Sequence, residues 1–154
     1  MSSLNALMVA IEAAKRKRDD ARQALQARVQ ALQAAQQQMD QLQDYAAQMQ
    51  QRWGAHENQA VQPEVMYHQY QFMDRLQHAS GLQAKVLQDH NIRLETAQKA
   101  LMACELRVTS LEKVVAARRR DIALAQMRRE QKQTDERAAQ QFFGRTFGMQ
   151  FQEA

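Results

Sequence analysis

Turn formers are nearly missing from this chain: of 154 residues, four are Gly and one is Pro. That is too few to supply the frequent turns of a barrel, a sandwich or a Rossmann fold. Aromatic residues make up 6%, so a thick globular interior is excluded, and with it the walls of a catalytic cleft. One cysteine, Cys104, leaves nothing to form an internal disulfide with, and a small thiol in an apolar repeat suits a reducing compartment. No apolar run approaches the roughly 18 residues of a membrane-spanning helix. The N-terminus reaches Lys15-Arg16-Lys17-Arg18 without a signal-peptide core. A cytoplasmic location is therefore expected.

What the chain has in quantity is 27 Gln and 26 Ala. Neither is β-branched and both tolerate helix well, so the chain reads as all helix. Stepping alternately three and four residues from Leu4 visits Leu7, Ile11, Ala14, Arg18, Ala21, Leu25, Arg28, Leu32, Ala35, Met39, Leu42, Ala46, Met49 and Trp53. Only the two arginines break the apolar series, which is the heptad signature of a helix zipped to a partner. A 50-residue helix is about 75 Å long and needs such a partner to persist.

Turn character is confined to Gly54 through Pro63. Gly54 can end a first helix, and Pro63 followed by Glu64 suits the first turn of a second. From Met66 the same stepping runs through Gln69, Met73, Leu76, Ser80, Gln83, Leu87, His90, Leu94, Ala97, Leu101, Cys104, Val108, Leu111 and Val115 to Arg118, Ile122 and Ala125. Between Ser80 and His90 the apolar signal weakens, Gly81 lowers helix propensity, and Ala79, Leu82 and Val86 offer a neighbouring stripe; a stutter or bend is expected there. The expected fold is all-α: two long helices, about 3–53 and 64–141 with a turn over 54–63, forming an antiparallel coiled-coil hairpin over 1–141. Helix is expected to end near Gln141. Residues 142–154, with four of the five Phe and two of the four Gly, then form a flexible tail with no assigned function.

A short turn places facing residues at numbers that add up to roughly 117 to 121. Leu4 then lies near Val115, and everything after about Arg118 overhangs. Residues 117–154 carry eight basic and five acidic groups, within a net charge of +4 for the whole chain. The overhang is thus where the basic excess lies. Asp121 and Glu130 interleave with Arg118, Arg119, Arg120, Arg128 and Arg129, as Asp19 and Asp20 follow Lys15 to Arg18. With no aromatic residue among these arginines, solvated or protein-binding helix faces fit better than a nucleic-acid groove. A basic nucleic-acid-binding coiled coil is one alternative.

Nothing points to catalysis, a cofactor or a metal. His56, His68, His78 and His90 have no i,i+3 or i,i+4 partner among themselves, and phosphate loops and nucleophile elbows are missing. His90 in the seam reads as a polar register-setting residue. The same register pairs Met49 with Phe72, Tyr45 with Leu76, Leu42 with Ala79 and Gln38 with Gln83. Those eight residues form either a partly covered aromatic recognition spot or a thicker seam, and periodicity alone does not choose.

Length, the two-helix layout, Leu42-Gln43-Asp44-Tyr45 before the turn, Tyr70-Gln71-Phe72 with Leu76 after it, and Glu130-Gln131-Lys132 with Asp135-Glu136 near the C-terminus carry a resemblance. The chain resembles the FliJ family of flagellar type III export proteins and, more distantly, the YscO-type proteins of virulence secretion. The resemblance implies a non-enzymatic stalk, similar in shape to the γ stalk of rotary ATPases. It also implies a place in flagellum biogenesis, and so in chemotaxis. Its helix ends would enter the flagellar export ATPase ring, its outer patch would bind the cytoplasmic domain of the export gate, and it would handle export chaperones. It would be peripheral at the inner membrane through these partners only. Carried over by motif, the gate-binding positions are Gln38, Leu42, Tyr45, Met49, Phe72, Leu76, Ala79 and Gln83, with Met49 standing where an aromatic is frequent and Gln83 where a histidine is.

Overall fold

The computed structural model describes residues 2–54 and 62–152, and the side chains of 3–54 and 62–148. Two helices account for them: α1, Ser2–Gly54, and α2, Pro63–Gln152. They pack against each other as an all-α hairpin, and no strand occurs among the described residues. Of the expected turn, residues 55–61 lie outside the described ones. At its far side the Gln62 carbonyl accepts bonds from the Val65 and Met66 amides at 3.0 and 3.2 Å. Gln62 thereby caps α2, Pro63 takes the position where a missing N–H costs nothing, and Glu64 sits at the positive helix end.

The chain divides into two compact units, residues 14–106 and residues 1–13 with 107–154. In the first, every position of the three-and-four stepping from Ala14 to Trp53 and from Gln69 to Cys104 is buried or half-buried. Arg18 holds its place in this seam because Asp19 takes its charge: Nε and Nη2 both lie 3.1 Å from Oδ1. Arg22, 3.8 Å from Glu105, adds an ion pair across the helices. The expected stutter is not there. Ser80, Gln83, Leu87 and His90 stay half-buried, whereas Leu82 and Val86 are exposed, so the seam keeps its original register. Small Ser80 fits between the helices, and Gln83 satisfies its polar group on α1, which leaves no reason to rotate. His90 keeps the register at a cost: its Nδ1 is buried without a hydrogen-bond partner.

In the other unit Ile11, Val108 and Val115 are each about 95% buried, worth about 1.5–3 kcal/mol apiece by area removed from water. Arg119 Nη2 donates to the Met8 sulfur at 3.8 Å. From Ala116 to Gly148 every residue of α2 is exposed, so this stretch overhangs the seam. The helix does not end near Gln141 but continues through the phenylalanines to Gln152. Gly144 and Gly148 weaken it by about 1 kcal/mol each without blocking it, no proline follows, and the Thr146 hydroxyl donates to the Phe142 carbonyl at 2.8 Å inside the helix.

Candidate functional site

Near the end of α1 and the start of α2, within the 14–106 unit, the two helices bring together large side chains that a two-layer structure cannot cover. Tyr45 lies edge-on to Phe72 with ring centroids 5.7 Å apart and planes at 77°. Trp53 meets the same ring at 6.3 Å, also edge-on. Such T-shaped pairs set a positive ring edge on a negative face, and here two of them hold Phe72. Tyr45 remains 44% exposed while Phe72 is half-buried, so the pair presents an aromatic surface on a supported base.

One turn further from the tip, Gln38, Gln41, Leu42, Tyr45 and Gln83 line an open groove of about 510 Å³. Across it, Gln83 Nε2 donates to the Ala35 carbonyl at 2.8 Å and to Gln38 Oε1 at 3.3 Å. Ala35 is almost fully buried; its missing side chain volume lets α2 approach closely enough for that bond. None of the five lining residues is charged, and the nearby Asp40 carboxylate accepts from Gln36 Nε2 at 3.0 Å.

Of the eight residues singled out from sequence, Gln38 and Tyr45 are exposed, Leu42, Met49, Phe72, Ala79 and Gln83 are half-buried, and Leu76 is 9% exposed and belongs to the seam. The register pairs Gln38 with Gln83 as expected, and Tyr45 reaches Phe72. Two neighbours were not singled out as site residues, although the stepping placed Trp53 in the seam. Gln41 lies one helical turn before Tyr45 and three residues after Gln38, and Trp53 one turn after Met49 on the same stripe; i,i+3 and i,i+4 spacing from the chosen residues would have found both.

Other clusters carry less. Among the described residues no group of His, Cys, Asp and Glu is placed to hold a metal, and Cys104 is a half-buried seam thiol. No described helix is long and apolar enough to cross a membrane. The exposed arm of α2 presents Arg118, Arg120, Arg128 and Arg129 to solvent. The family model described as Flagellar FliJ protein matches residues 3–146. No curated protein and no solved structure matches the chain.

Proposed function

The chain belongs to the FliJ family of flagellar proteins, and on that premise we propose that it is a non-enzymatic stalk coupling the export ATPase ring to the export gate. Family membership makes it a component of the flagellar protein-export apparatus. On this proposal the groove and aromatic pair of residues 38–83 bind the cytoplasmic domain of the export gate, and the basic arm beyond Val115 engages the ATPase ring. Export chaperones would be further partners, and the chain would reach the membrane only through its partners.

The observation that carries the reading is Tyr45, half-exposed and set edge-on to Phe72. Rigid aromatic side chains with exposed faces on a supported base are what binding hot spots consist of. The exposed arm supports the second contact, since beyond Arg119, which touches Met8, the described residues of α2 present all faces of the helix to another protein. Two zipped helices bend less readily than one, which suits transmission of position between two partners.

Titrating the purified chain with the gate's cytoplasmic domain tests the first contact. Tyr45→Ala and Phe72→Ala are each expected to weaken binding at least about tenfold, the loss of a hot-spot side chain, while helicity by circular dichroism stays at the parent value. Unchanged affinity in both variants would remove the assignment. For the second contact, the parent chain is expected to raise the export ATPase's turnover. Replacing Arg118, Arg119 and Arg120 together by Glu should abolish the rise without touching gate affinity.

A further inference from the structure

Gln83 stands among the eight residues that resemblance assigns to partner contact, yet its hydrogen bonds turn inward. Its side-chain atom 2.8 Å from the Ala35 carbonyl must be the amide nitrogen, because a carbonyl oxygen only accepts. The same nitrogen lies 3.3 Å from a Gln38 side-chain atom, which must then be the oxygen. One backbone carbonyl thus fixes the orientation of two carboxamides in sequence. Gln38 Oε1 is turned to α2, so its NH2 group is not engaged by Gln83, and Gln38 also lines the groove.

We propose that Gln83 is a positioning residue: it holds the Gln38 amide with its N–H donors toward the groove. The site so formed takes an uncharged segment whose backbone carbonyl accepts from Gln38 Nε2 while an apolar side chain packs on Leu42 and Tyr45. The neutral lining of the groove favours that chemistry, since none of its five side chains offers a counter-charge to a charged group. A carbonyl, by contrast, gains the donor that Gln38 offers. Only the identity of the partner, the export-gate domain, rests on the function proposed above.

Gln83→Glu and Gln83→Met test the clamp. Glutamate cannot donate to the Ala35 carbonyl, and it invites Gln38 to turn its NH2 inward, presenting Oε1 to the groove instead. Methionine has nearly the length of glutamine, keeps the seam apolar and releases Gln38 altogether, so it serves if the glutamate variant loses helix. In the free chain, the side-chain amide resonances of Gln38, assigned by a Gln38→Ala control, are expected to shift in both variants. Unmoved resonances would overturn the clamp whatever the partner does.

Binding to the gate's cytoplasmic domain reads the consequence. Gln83→Glu and Gln38→Ala are each expected to weaken it about tenfold, and the double variant no more than either alone, because Gln83 acts through Gln38. Gln83→His, which regains one N–H donor, should recover part of the loss. Additive losses would show Gln83 touching the partner itself and overturn its positioning role. Parent affinity that falls tenfold between about 50 mM and 500 mM salt would overturn the uncharged occupant. If the parent chain does not bind the domain at all, the proposed partner and its occupancy of the groove fall, while the resonances still decide the clamp.

Discussion

The seam of residues 14–106 and the arm of 116–148 are cut from nearly the same alphabet, rich in Ala, Gln and charge, and they are both helix. In the seam each third or fourth residue is buried or half-buried, so identity at those positions fixes the register; in the arm every residue is exposed and helix propensity alone decides. The difference shows that helix formation and helix pairing are separate achievements of a sequence. Alanine and glutamine suffice for the first. The second needs apolar side chains at unbroken three-and-four spacing, and polar seam residues whose hydrogen-bonding groups find partners.

The largest expected effect follows from putting a charge at a buried contact between the paired helices. Val108→Asp, in the same unit as the arm, buries a carboxylate where 4% of the residue is exposed, at a cost of about 3 kcal/mol or more. Thermal unfolding should fall by many degrees. The matching change in the arm, Met127→Asp on a side chain 64% exposed, should stay within about 0.5 kcal/mol of the parent. Equal losses at both positions would break the comparison, since the arm would then have a hidden partner.

His90 sharpens it from the opposite direction. Its buried Nδ1 has no hydrogen-bond partner, so His90→Leu removes an unsatisfied polar atom and adds an apolar seam residue. Stability is expected to rise by about 1–2 kcal/mol, read as a higher urea midpoint at unchanged m-value. A fall would mean that the imidazole is partnered in solution.

Most of this architecture was legible in the sequence because burial follows spacing, and spacing is written in the residues themselves. Leu25, Leu32, Leu94 and Leu101 could be placed in the seam without coordinates. The stutter expected between Ser80 and His90 was misread because polar residues were counted as breaks, although Gln83 finds a carbonyl on the facing helix and stays in register. The end of α2 was misread for a related reason. Two glycines and a run of phenylalanines resemble a frayed tail, but these residues lower helix propensity without forbidding helix, and among the described residues no glycine takes the αL conformation that would end it. At the groove, sequence gave the stripe but not the direction of each carboxamide, since which way an amide faces depends on a single backbone carbonyl across the interface.

The smallest expected effect tests whether the weak apolar stretch has any cost beyond backbone entropy. Gly81 is exposed in mid-helix, and a methyl group added there would meet nothing within 4 Å. Gly81→Ala should therefore stabilise by the propensity difference alone, about 0.5–1 kcal/mol. Gly144→Ala in the arm, where the added carbon also meets nothing within 4 Å, should raise helicity measured by circular dichroism while leaving the main unfolding midpoint where it was. The two substitutions are chemically identical and both sit on open helix surface. If only the first moves the cooperative transition, pairing makes the backbone of residues 14–106 a single unfolding unit. The arm then melts as an isolated helix does, residue by residue.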